Sequence, residues 1–279
     1  MSFSLICILL LAALLHASWN ALLRAGTDRF WSINMMCVSI ACVCGILTLI
    51  APLPSRQSWP YIFLSALLHL GYNLFLVRSY QSGDLGQTYP VARGSSPLLV
   101  TIGGTFFSGE GVPHWLALTG IVLVSSGIVS LAFRGRKLSL ETFFYALATG
   151  VFIASYSVTD GIGVRLSATP FGYMVWMGFL WGLLMPVIYV VTRDMRSVIR
   201  GSRETLAAAG SGLISLLGYG IVVWAMSFAS LAAVSALRET SIVFAALIGH
   251  FFLREQLSLY RMLDCLVIAI GIVLIGNDH

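Results

Sequence analysis

Long apolar runs alternate with short polar stretches along the whole chain. Ten such runs can be delimited, at about 3–23, 31–51, 59–80, 85–107, 114–133, 140–163, 170–192, 205–228, 231–253 and 258–276. Each is near the ~20 residues a helix needs to cross the hydrocarbon core of a bilayer. The stretches between them hold breakers or charges: Gly26-Thr27-Asp28-Arg29, Pro52–Pro60, Gly83-Asp84, Gly109–Pro113 and Ala168-Thr169-Pro170. Arg134–Lys137 and Arg193–Glu204 are the most polar of them. Trp31, Trp59 and Trp115 stand at span starts, where an amphipathic ring suits the headgroup layer. The pattern predicts an all-α integral membrane protein of ten transmembrane helices, with the lipid bilayer as its surroundings. The opening MSFSL lacks the basic residues of a secretory signal, so the first run is expected to be retained as a span.

The pattern also repeats. Thr88–Glu110 returns within Ser230–Glu255, as Ala233–Glu255, when the numbering is shifted by 145. Arg93 then meets Arg238, Ser95 meets Thr240, Ser96 meets Ser241, Gly104 meets Gly249 and Glu110 meets Glu255. Weaker echoes join Leu70-Gly71-Tyr72 to Leu217-Gly218-Tyr219, and Ala17-Ser18-Trp19 to Ala154-Ser155-Tyr156. The unit is five spans, which predicts two repeats, 1–137 and 138–279, within one membrane domain. An odd number of spans makes the second copy enter the membrane from the opposite side, so the repeats are inverted. Duplication for packing alone is the plainer reading of the same pattern.

Composition agrees with the spans: 58% of the 279 residues are hydrophobic and 10% charged. Too little polar surface is left to cover a soluble domain. The net charge of +5 does not call for nucleic acid, because the basic residues cluster in the connections. Ten of the sixteen Lys and Arg lie in odd-numbered connections, and Arg78 and Arg261 lie at the span ends that border them; two are on the opposite side (Arg56 and Arg165) and two, Arg93 and Arg238, deep within spans. The positive-inside rule then puts the odd connections in the cytoplasm and both termini outside. The five cysteines, Cys7, Cys37, Cys42, Cys44 and Cys265, fall in apolar segments without metal-ligand spacing and read as packing residues. HExxH, phosphate-loop and GxSxG motifs are missing, so no enzyme chemistry, metal or cofactor is implied, and an ATP-driven pump is disfavoured.

The candidate chemistry centres on Arg93 and Arg238, each within a few residues of the middle of its span. A cation at that depth costs at least ~2.5 kcal/mol on insertion scales, so each must face a cavity or a partner. One reading makes them the site for a carboxylate, phosphate or phosphonate, which a planar guanidinium grips through paired hydrogen bonds. Ser95, Ser96, Thr240 and Ser241 would add hydroxyl contacts. The other reading satisfies the cations internally, through backbone carbonyls or Glu239. Pro90, Gly94 and Pro97 predict a bend in span four, whereas span nine carries Ser235 and Ile242 at the two proline positions.

His16 and Asn20 lie at i, i+4 on one face, and His69 and Asn73 repeat the spacing, with Trp19 and Tyr72 beside them. Either pair can line a polar cavity or join helices by hydrogen bonds. Glu239, His16 and His69 are the candidates for proton coupling. Glu239 reads equally as a counter-ion to arginine. Asp160 is expected to pair with Arg165, and Arg261 with Asp264; Glu110, Glu255 and His250 read as structural. Gly178 and Gly182 form a GxxxG that allows close helix approach, within the bundle or between two protomers, so both a monomer and a homodimer are compatible.

These features together resemble the drug/metabolite transporter superfamily, of the ten-span EamA type. The resemblance rests on the length, the five-plus-five duplication, HASWN (His16–Asn20), and the glutamates ending spans four and nine ahead of a Gly-bearing span. It implies secondary active transport by alternating access, often export of an amino acid or another small polar or anionic metabolite, in a bacterial cytoplasmic (inner) membrane. Proton-coupled efflux of lipophilic cations or drugs, and a non-catalytic membrane scaffold, are the alternatives.

Overall fold

A computed structural model describes residues 1–25, 28–82, 85–132, 139–193, 201–253 and 259–277. Eleven helices occupy these residues: α1 (Phe3–Ala25), α2 (Arg29–Leu47), α3 (Trp59–Ser82), α4 (Leu85–Phe107), α5 (Trp115–Ala132), α6 (Leu140–Leu166), α7 (Pro170–Thr192), α8 (Ser202–Met226), α9 (Leu231–Glu239), α10 (Ser241–Leu253) and α11 (Leu259–Gly276). The turn chemistry seen in the sequence fixes several starts. Asp28 caps α2 by accepting from the Phe30 and Trp31 amides at 3.1 and 3.2 Å. Ser139 accepts from the Thr142 amide at 3.1 Å to open α6. Thr169 accepts from Gly172 at 3.0 Å, and Pro170 follows in the first turn of α7, where its missing N–H costs nothing.

Seven helical stretches among the described residues are long and apolar enough to cross a membrane, in α1, α2, α3, α6, α7, α8 and the joined α9–α10. Trp115–Leu131 and Met262–Gly276 are shorter apolar helices. Many large apolar side chains point outward, among them Phe106, Phe144, Val187 and Ile270. That is unfavourable against water and neutral against lipid.

Inside, α2 packs on α7, α1 on α8, α3 on α6, α4 on α5, α6 and α9, and α5 on α11. The GxxxG of α7 is used within the bundle: a Cβ at Gly182 would fall 2.6 Å from the Ala41 amide nitrogen of α2. Buried apolar residues of α1, α2, α3, α6, α7 and α8 form one cluster, which Leu231, Val234 and Leu237 of α9 join from the other side. A second cluster gathers α5, α9, α10 and α11. The helix α9 therefore runs between the two, and its polar face is where the buried charges meet.

The two prolines of span four do not end its helix. Pro90 and Pro97 sit inside a continuous α4, while the break falls in the proline-free copy, between α9 and α10 at Thr240. At the break the Thr240 hydroxyl donates to the Leu237 carbonyl at 2.6 Å, and the Thr240 amide turns to the same carbonyl at 3.3 Å. The boundary between the expected repeats, at 137/138, lies outside the described residues, as do Glu255, the side chains of His250 and Arg261, and with them the Arg261–Asp264 pair.

Candidate functional site

The two arginines meet at one carboxylate. Arg93 Nη1 donates to Glu239 Oε2 at 3.0 Å; Arg238 Nε and Nη2 donate to Oε1 at 2.9 and 2.7 Å. All three side chains are buried, at 2%, 0% and 0% exposure, which makes this a fully desolvated triad with one anion for two cations. Helix geometry dictates the arrangement: Arg238 and Glu239 close the short α9, and Arg93 reaches them from α4, which packs against α9. Arg238 Nη1 also donates to Ser157 Oγ of α6 at 3.2 Å. The Arg93 guanidinium lies over the Tyr89 ring and that of Arg238 over the Tyr156 ring, at 5.2 and 5.8 Å from the centroids. A ring face adds attraction for a desolvated cation.

The expected hydroxyls divide into two kinds. Ser95 donates to the Ala92 carbonyl at 3.1 Å and presses on Gly150 of α6, and Thr240 is bound to Leu237. Both are satisfied by their own helices. Ser96 and Ser241, which match under the 145-residue shift, are buried with no hydrogen-bond partner for Oγ. Trp19 Nε1 and Ser235 Oγ share that condition. Buried polar atoms are ordinarily paired, and these four are among those that are not.

The histidines are less free than their spacing suggests. His16 Nδ1 lies 3.3 Å from the Ala12 carbonyl and His69 Nδ1 2.9 Å from the Ser65 carbonyl. A carbonyl only accepts, so Nδ1 carries a hydrogen in both rings. Asn20 donates back to the His16 carbonyl at 2.7 Å, whereas Asn73 reaches across to Cys37 of α2, leaving its Oδ1 unpaired. Around His69 an aromatic cluster closes: Tyr156 stacks on it at 3.9 Å, with Trp181 and Tyr219 at 4.7 and 5.3 Å, and Tyr72 stands edge-on to Tyr156.

Asp160 does not pair with Arg165. Five residues apart on α6, the two point to different sides of the helix. Fully buried Asp160 accepts from the Tyr173 hydroxyl at 2.9 Å and from the Tyr219 hydroxyl. Arg165 instead reaches out to Glu110, to the Met226 carbonyl at 2.9 Å and to the Ala229 carbonyl at 2.8 Å. Glu110 in turn accepts from the Leu231 amide at 3.0 and 3.1 Å, so it caps α9, whose own Ser230 makes no side-chain cap. A cavity of about 640 Å³ opens at this end, lined by Glu110, Arg165, Phe228, Ser230 and Ala233 among others.

Sequence reasoning missed Tyr156, Ser157, Tyr173 and Tyr219 as members of this network. Tyr156 and Tyr219 stand in the two weak repeat echoes, opposite Trp19 and Tyr72, and that signal was enough to find them. Ser157 and Tyr173 carry none.

The chain is a bundle of apolar, membrane-capable helices with two arginines and a carboxylate buried inside it. Residues 141–277 match the EamA-like transporter family, and this half of the chain belongs to it; the family is one of transporters and falls in the drug/metabolite transporter superfamily. A solved crystal structure, 18% identical, covers 98% of this chain and 96% of its own at a TM-score of 0.77, so the two share a fold. No curated protein matches the sequence. The chain is thus an integral, multi-pass membrane protein.

Proposed function

We propose that the chain is a secondary active transporter that exports a small polar or anionic metabolite, such as an amino acid, by alternating access. One observation carries this reading: two buried guanidiniums share a single carboxylate. A buried cation without a full counter-charge is expensive, so one more anion would balance the charge of the triad. Ser96, Ser241 and Trp19 supply unmet polar groups that a bound ligand would satisfy. In this scheme Arg93 and Arg238 bind the acidic group, and His16, Asn20, His69, Tyr72 and Asn73 belong to the surrounding wall. Ser95 and Thr240 are the weaker members, being already bonded.

The reading also takes the fold as ten spans in two inverted repeats, 1–137 and 138–279, with α9 and α10 together making the ninth span. The packing supports it. An axis that exchanges span n with span n+5 turns the α3–α6 contact into the α8–α1 contact, and leaves α2–α7 and α5–α11 in place. The proposed setting is a bacterial cytoplasmic membrane with both termini outside, as a monomer or homodimer, coupled to a proton gradient. Efflux of lipophilic cations is disfavoured at the triad, because Glu239 already answers to two guanidiniums.

The test is uptake and counterflow of radiolabelled amino acids in proteoliposomes. Flux should fall to background in an Arg93→Ala, Arg238→Ala double variant that still purifies as a folded protein. Unchanged flux in that variant would remove the arginines from the site.

A further inference from the structure

Two buried carboxylates stand in the polar network, and they are held in opposite ways. Glu239 accepts only from guanidiniums. Asp160 accepts from neutral hydroxyls, Tyr173 of α7 and Tyr219 of α8. The charged groups around it are engaged elsewhere. Arg165, on its own helix, is bound to Glu110, Met226 and Ala229. Arg238, from α9, is bound to Glu239 and Ser157. His69 of α3 gives its Nδ1 hydrogen to Ser65, and Tyr156 of α6 stacks on that ring. A desolvated carboxylate with hydroxyl donors alone lacks a compensating charge, and a proton is the smallest cation that supplies one.

We infer that Asp160 is the proton-carrying group of this transporter, in place of Glu239 or the histidines, and that Glu239 remains ionised throughout. This rests on the transport reading above. The step is a reversible proton transfer from water to an Asp160 carboxylate oxygen. On protonation that oxygen gains a donor and becomes a poorer acceptor, which weakens the bond from the tyrosine hydroxyl on it or turns that hydroxyl round to accept. Tyr173 and Tyr219 belong to α7 and α8, so the packing of both helices against α6 depends on the state of Asp160.

Leu231, fully buried, fills the space over Gly161, the residue after Asp160: a Cβ there would fall 2.2 Å from its side chain. Glu110, which lines the cavity, holds the Leu231 amide.

The test reads the proton directly, with no substrate present. Infrared difference spectra of the full chain in nanodiscs, taken on going from mildly alkaline to mildly acidic buffer, should show a carboxylic-acid C=O band. The band should vanish in Asp160→Asn and persist in Glu239→Gln. Tyr219→Phe should keep the band and move its frequency, which covers the case in which Asp160→Asn does not fold. In proteoliposomes, Asp160→Asn should retain amino-acid counterflow and lose accumulation driven by a pH gradient. A band that survives Asp160→Asn, or a frequency untouched by Tyr219→Phe, overturns the assignment, as does gradient-driven accumulation that persists without the carboxylate. If the wild-type chain moves no amino acid, the transport reading fails while the infrared result still decides whether Asp160 takes the proton.

Discussion

Arg93 and Arg238, 145 positions apart, converge on the two oxygens of Glu239 in the dry centre of the bundle. Removing the shared anion strands both cations. Glu239→Gln should therefore destabilise the protein by about 3–5 kcal/mol, the usual cost of breaking a buried ion pair from one side. Arg93→Met keeps most of the volume and leaves a one-to-one pair of Arg238 with Glu239, so its cost should be clearly smaller. Thermal unfolding in detergent, followed by intrinsic fluorescence, checks the order; equal losses would argue against the shared-anion description.

Glu110 caps α9 from outside its own helix and pairs with Arg165 at a partly exposed site. Water screens that ion pair, so its share is small, about 0–1 kcal/mol. The cap is worth more: Glu110→Ala should cost about 1–2 kcal/mol. Amide exchange over residues 230–234 should quicken, while exchange in α2 and α7 stays unchanged.

The α2–α7 contact depends on a missing side chain at Gly182, where an added carbon would meet backbone atoms of Cys37 and Ala41 at 2.8 Å or less. Backbone cannot step aside as a flexible side chain can. Gly182→Val should cost at least about 1–3 kcal/mol by overpacking, measured as a lowered melting temperature. Gly220→Ala, where the nearest atom is 3.9 Å away, is the matched control and should be nearly neutral.

The distribution of Lys and Arg gives a topology that labelling can test. In a cysteine-free background, Gln57→Cys between α2 and α3 should react in intact cells with a membrane-impermeant maleimide. Ser202→Cys, at the start of α8, should react only after permeabilisation. The reverse result would invert the orientation.

The helical plan was legible because its cause is one-dimensional: apolar length sets a span, and the connections that hold Asp28 and Thr169 fall where the structure starts α2 and α7. The pairing of Arg93 with Glu239 was readable as one of two options, since a buried cation has few partners to choose from. The position of the helix break was not readable. Propensity assigns it to Pro90 and Pro97, yet α4 runs on through both, and the break falls at Thr240 between α9 and α10. Asp160 was misassigned because the sequence offers Arg165 as a near neighbour, while the tyrosines that hold it come from two other helices. Such partners are set by tertiary packing, which no local spacing records.

The contact between Glu110 and the Leu231 amide links residues made far apart in time on the ribosome. A polypeptide starting near residue 139 would emerge with the first turn of α9 bare, and one ending near 132 would hold an acidic side chain with nothing to cap. Neither fragment should accumulate alone in cells, whereas the two produced together should complement each other as a split protein.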